Sequence, residues 1–194
     1  MKSIALMAVA GLATVASAQS ASFNLSFDKS SIAIGETATA TFSASFTGQP
    51  SGAYVSSVNV DLLASGAFAD ASNVSGVAWN NVGLGFDGQG TASGADVLGV
   101  EAAQFSLIPP VTAGSPIVIM TFTVTGTAEG DLSYSAAVAA GAPTPFSVTG
   151  GGFADPSVNY GTDAFSSGSL TVTPAPSAMA LLGLGGLVAG RRRR

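Results

Sequence analysis

The sequence has no cysteine and no histidine in 194 residues, one tryptophan, and only six basic against eleven acidic side chains. Without cysteine there is no disulfide framework, no thiolate nucleophile and no zinc site of the Cys type. Without histidine the Ser-His-Asp and Cys-His triads and the His-rich metal cages are excluded. Charged residues make up 9% of the chain, against roughly 25% in an average soluble domain. Five of the six basic residues lie at the two ends, Lys2 and Arg191, Arg192, Arg193 and Arg194, so Lys29 stands alone among eleven acids across residues 19–173. That region carries a formal side-chain charge of −10. It has no cationic patch to displace counterions from phosphates, which argues against nucleic acid and anionic membrane surfaces as partners.

The mean hydropathy of +0.49 averages three unlike segments. Residues 1–18 read as a secretory signal peptide. Lys2 supplies the positive start, residues 4–15 an uncharged apolar run, and Ala16-Ser17-Ala18 the small residues that signal peptidase needs, with Gln19 as the mature start. About 12 apolar residues are too few for a span that needs about 20. Residues 174–194 form a second address: Pro174-Ala175-Pro176-Ser177, an uncharged Ala, Leu and Gly stretch over 178–190, and four terminal arginines. The arginines would stay on the cytoplasmic side, and 13 residues give about 20 Å of helix, a marginal span suited to temporary membrane insertion.

This order of parts resembles the PEP-CTERM sorting signal of bacterial exosortase substrates. The resemblance rests on residues 173–194, with Ala175 where the family has Glu. It implies partnership with an exosortase-like membrane enzyme that cleaves near the motif, and delivery to the cell surface or extracellular matrix. The plain alternative is a C-terminal membrane anchor.

Between the two addresses, residues 19–173 suit one domain, and the pattern is β throughout. Phe23, Leu25 and Phe27 alternate with polar residues over 22–27, and Thr and Ser alternate with Ala and Phe over 37–46. Over 54–63, Val55, Val58, Val60 and Leu62 alternate with a break of phase at Ser56-Ser57, as a bulge would give. Further strands are expected at 76–80, 97–105, 117–125, 132–138 and 169–173. Turns are expected at Asp28-Lys29-Ser30, Thr47-Gly48-Gln49-Pro50, Asp87-Gly88, Pro109-Pro110 and Glu129-Gly130-Asp131. The expected fold is all-β, a two-sheet sandwich of about 8–9 strands of jelly-roll type, flanked by a signal helix and a C-terminal apolar helix. Residues 150–168 are either its last loop or a stalk. The expected core is Phe23, Leu25, Phe42, Val58, Val60, Leu62, Ile119, Phe122 and Val124, and the outer faces carry hydroxyls where most proteins use Lys and Glu.

Gly35-Glu36-Thr37 before the second strand, the strand at 54–63 followed by Ala67-Phe68, and the strand at 117–125 before a Gly-rich turn together resemble the cohesin and related carbohydrate-binding-module sandwiches. The resemblance implies a non-catalytic scaffold that binds surface proteins or polysaccharide; fold alone does not carry function.

The chemical candidates are few. Gly83-Leu84-Gly85-Phe86-Asp87-Gly88 spells a dinucleotide fingerprint, but residues 89–94 read as loop where a helix must receive the pyrophosphate. Asp61 with Asp70, or Glu129 with Asp131, could supply two carboxylates for glycoside hydrolysis, yet acids at turns are ordinarily just solvated, and no enzyme is expected. Asp87, Asp96, Glu129, Asp131, Asp155 and Asp163 offer oxygens to calcium, without a DxDxDG loop to assign a site. No other cofactor is expected. Sugar stacking needs exposed rings with a polar handle, and only Trp79, Tyr54, Tyr134 and Tyr160 qualify. The 26 serines and 16 threonines also offer hydroxyls for O-glycosylation.

Overall fold

The computed structural model describes residues 19–49, 52–76, 85–104, 115–150 and 155–175. Ala16, Ala18, Trp79 with the strand expected over 77–80, the Pro109-Pro110 turn, Pro176, Ser177, the four terminal arginines and the two expected flanking helices lie outside the described residues. No helix among the described residues is long and apolar enough to cross a membrane.

The strands, in chain order, are β1 (Ser20–Phe27), β2 (Ser31–Ala33), β3 (Thr37–Thr47), β4 (Tyr54–Ala64), β5 (Ala69–Gly76), β6 (Gly85–Ser93), β7 (Asp96–Gln104), β8 (Ile117–Gly126), β9 (Gly130–Leu132), β10 (Tyr134–Val138), β11 (Phe146–Thr149), β12 (Ser157–Tyr160), β13 (Phe165–Ser167) and β14 (Leu170–Thr173). A five-stranded sheet runs β13-β1-β3-β8-β5. A six-stranded sheet runs β12-β11-β4-β7-β6, with β10 also paired to β4. A small sheet, β2-β14-β9, forms a third group.

Alternation places the core. Phe23 and Leu25 of β1, Phe42 of β3, Val58, Val60 and Leu62 of β4, and Ile119, Phe122 and Val124 of β8 are all buried and join one cluster. Apart from Ile119, whose neighbour Met120 is also buried where the β3–β8 register shifts, each is flanked by residues pointing away from the core, so the period of two turns a sequence of modest hydrophobicity into a two-sided layer. The Phe23 ring stacks on Phe146 with centroids 3.9 Å apart. Phe122 meets Tyr134 edge-on at 5.6 Å. Both pairs join strands of different sheets and fill the interlayer space.

Where the structure departs from the sequence reading, glycine is the usual cause. The expected Asp87-Gly88 turn and the loop over 89–94 are strand β6 and its hairpin into β7. A Cβ on Gly76 would overlap the Gly88 backbone, and one on Gly88 would run into the Ile119 carbonyl. These glycines let β6 close against β5 and β8, and so serve packing where the reading saw a turn. Residues 155–168, read as loop or stalk, contribute β12 on β11 and β13 parallel to β1. The strand expected at 132–138 divides into β9 and β10, which pair with different partners.

Candidate functional site

The two outer faces differ in chemistry. The large exposed apolar side chains among the described residues are Ile34, Leu63, Leu98 and Val138. The last three lie on β4, β7 and β10 of the six-stranded sheet. The register sets Leu63 opposite Ser135, Thr91 opposite Leu98, and Glu101 between Asn59 and Gln89. Register shifts in the β4–β7 ladder bring the Gly99 N–H to Asp61 Oδ1 at 2.7 Å. Gly99 has φ 61, a left-handed conformation in which a side chain would be strained. Around Leu63 and Leu98 the face is thus mixed apolar, amide and acidic, with Asp61, Asp96 and Glu101 its charges. Such a surface suits a protein partner that brings apolar and basic groups together. The five-stranded face, by contrast, presents serine and threonine from strand to strand.

Several acids hold backbone, among them Asp61 and Asp96 of the chemical candidates. Asp28 Oδ1 accepts the Thr39 N–H at 2.8 Å, Glu36 Oε2 the Ala33 N–H at 3.0 Å, and Asp96 Oδ1 the Ala64 N–H at 2.7 Å. Asp131 Oδ1 accepts the Thr171 hydroxyl at 2.7 Å. Asp61 and Asp70 sit on β4 and β5, in different sheets, so the structure does not bring them together as a catalytic pair. No group of three metal-capable side chains occurs among the described residues; of the calcium candidates, Asp96 opens β7, Glu129 and Asp131 lie at the turn into β9, Asp155 precedes β12 and Asp163 precedes β13, while the Asp87 side chain lies outside the described residues.

The aromatic candidates fare unequally. Tyr54 and Tyr134 are buried, 2% and 6% exposed, which removes both as stacking platforms for a pyranose. Tyr134 instead belongs to the core, donating its hydroxyl to the Ala95 carbonyl at 2.8 Å. Burial, with Asp96 adding to it, pushes the Tyr134 hydroxyl well above the ordinary tyrosine range. Tyr160 is half-buried and accepts a hydrogen bond from Gln49 Nε2 at 2.9 Å. The exposed residues Leu63 and Leu98 escaped the sequence reading; the signal for Leu63 was an apolar residue in the outward phase of its strand.

No protein-family model and no curated protein matches the sequence. Solved structures do. The seventh ScaB type I cohesin of Pseudobacteroides cellulosolvens aligns with 79% of this chain and 94% of its own, at TM-score 0.55 and 16% identity. The second type II cohesin module of the ScaA scaffoldin of Acetivibrio cellulolyticus aligns with 79% of this chain and 98% of its own, at TM-score 0.52 and 10% identity. A structure of a type II Cohesin-X-Dockerin complex from Acetivibrio cellulolyticus matches at TM-score 0.50 and 10% identity, over 79% of this chain and 100% of that one. The domain has the cohesin-like β-sandwich fold.

Proposed function

We propose that this is a secreted bacterial surface or extracellular-matrix protein whose sandwich is a non-catalytic, adhesive module that binds a protein partner through the outer face of the six-stranded sheet. The observation that carries the reading is the placement of Leu63 and Leu98, 36% and 37% exposed, among Asp61, Asp96 and Glu101 on adjacent strands of that sheet. The two leucines put apolar area beside three acids on one face, the mixed chemistry that a protein interface uses. The fold neighbours supply the precedent of protein recognition, one of them being solved in a complex with dockerin. The partner would bring a basic and apolar surface to meet a domain of charge −10.

Export by a cleaved signal peptide and sorting through residues 174–194 complete the proposal. Pro174 and Ala175 directly follow β14, so the sorting segment would hang from the end of a strand clamped between β2 and β9. A photo-reactive residue placed at Leu98 tests the docking face in the native surface fraction. A single discrete adduct, absent when the same probe replaces Thr39 on the opposite sheet, is expected. Identical adducts from both positions would count against a specific face.

A further inference from the structure

The sequences Thr37-Ala38-Thr39-Ala40-Thr41 and Thr121-Phe122-Thr123-Val124-Thr125 fall on β3 and β8, the adjacent inner strands of the five-stranded sheet. Their register pairs Thr37 with Thr125, Thr39 with Thr123 and Thr41 with Thr121. Ala38, Ala40, Phe122 and Val124 between them are buried, so all six threonines point outward and are exposed or half-exposed. Asn73 Nδ2 donates to Thr123 Oγ1 at 3.4 Å. The other five hydroxyls make no side-chain hydrogen bond among the described residues. Ser26 pairs with Thr41 on one side, and Ser72 and Ser75 with Thr123 and Thr121 on the other. Charges border this grid: Asp70 lies opposite Thr125, Asp28 Oδ1 accepts the Thr39 N–H at 2.8 Å, and Lys29 Nζ donates to the Thr37 carbonyl at 2.6 Å.

The geometry has a particular period. Adjacent strands lie about 4.8 Å apart, and alternate residues along a strand repeat about every 6.8 Å. Each node offers one hydroxyl and one methyl on a side chain whose χ1 is stiff. The short edge of this rectangle lies close to the oxygen repeat along the a axis of hexagonal ice, and the long edge close to that along c. We propose that the threonine grid of β3 and β8 binds ice, with water oxygens seated at the hydroxyls and in the gaps between methyl groups.

Ice suits this face better than a sugar. The grid contains no aromatic ring to stack on a pyranose, and exchanging water for sugar hydroxyls at a solvated hydroxyl yields little net free energy. Lattice water needs no such exchange. No node of the grid is itself charged; Asp28, Lys29 and Asp70 lie toward its Thr37–Thr125 end, and Ser26 and Ser75 flank its Thr41–Thr121 end. Its extent sets the strength: neighbouring strands rotate by roughly 20–25°, and register shifts interrupt the pairing beyond Phe42 and between Ser72 and Ser75. Six threonines in register therefore slow ice recrystallisation and produce only a small freezing hysteresis.

The test is partition of the fluorescently labelled full chain into a slowly growing ice hemisphere, alongside recrystallisation assays, with a similar-sized non-binding protein as control. Enrichment in ice above the control is expected. It should fall to the control level in Thr39→Lys and in Thr123→Tyr, the latter a residue type that strands favour, while circular dichroism and melting stay native. Leu98→Glu, on the other sheet, should leave it unchanged. Exclusion of the wild type from ice, enrichment indifferent to both threonine variants, or adsorption to crystalline chitin or cellulose in place of ice would each overturn the proposal.

Discussion

The ring of Phe23, on β1, lies parallel to that of Phe146, on β11, with 3.9 Å between centroids and 11° between planes. This stack ties the five-stranded sheet to the six-stranded one, and Phe42 also meets Phe146, at 6.4 Å. Truncating Phe146 removes a fully buried ring from both contacts. Phe146→Ala should cost about 3–5 kcal/mol, read as a lower denaturant midpoint with an unchanged slope.

The closure of β6 against the opposite sheet gives a second expectation. A methyl group at Gly88 meets backbone, the Ile119 carbonyl, which cannot rotate out of the way. Gly94, at φ 60, faces open space. Gly94→Ala should therefore cost only the left-handed strain, about 1 kcal/mol, while Gly88→Ala should approach ~3 kcal/mol through overpacking. Thermal melts of the two variants check the order; equal effects would mean that β6 does not press on β8 as described.

Tyr134 contributes to the alkaline dependence of stability. Its hydroxyl is held protonated by burial and by Asp96, so the folded state keeps a proton that the unfolded chain loses above about pH 10. Its folded pKa is raised, which makes the contribution fully present below the unfolded pKa and lost as pH rises beyond it. Denaturant unfolding between pH 8 and pH 11 should show stability falling at the alkaline end. Tyr134→Phe should begin less stable, having lost the bond to the Ala95 carbonyl, and show a shallower alkaline decline.

β1, β3, β4 and β8 were legible through one-sided burial, whereas β5, with Ala69 and Ala71 buried, was not read. Every core residue expected on β1, β3, β4 and β8 is buried, and all but Leu62 and Ile119 sit between polar neighbours. Even the bulge was visible. The phase break at Ser56-Ser57 corresponds to a register shift that pairs Ser147 with Ser57 and Val148 with Val55, leaving Ser56 extra and its hydroxyl buried without a partner among the described residues. β11 escaped because alternation fails there. Ser147 and Thr149 are buried too, their hydroxyls paired with Asn159 and Ser157 at 2.6 Å each. β6 escaped because its glycines imitate a turn. The proposed docking face was illegible for another reason: Leu63 and Leu98 are 35 positions apart in the chain, and only the ladder from β4 to β7 brings their strands side by side.

Sorting has its own readout. Intact-mass spectrometry of the protein recovered from the producing cells should show a start at Gln19 and an end near Pro176 or Ser177. A C-terminus at Arg194 would leave a plain membrane anchor in place of exosortase processing.

The adhesive role is tested most directly by rebinding. Purified wild-type chain, its Leu63→Glu/Leu98→Glu variant and its Thr39→Tyr variant are returned to cells stripped of the native protein, and bound protein is measured against concentration. The account predicts saturable rebinding of the wild type and of Thr39→Tyr, and its loss in the double leucine variant despite native melting. Rebinding that never saturates, or that survives both leucine substitutions, would contradict it.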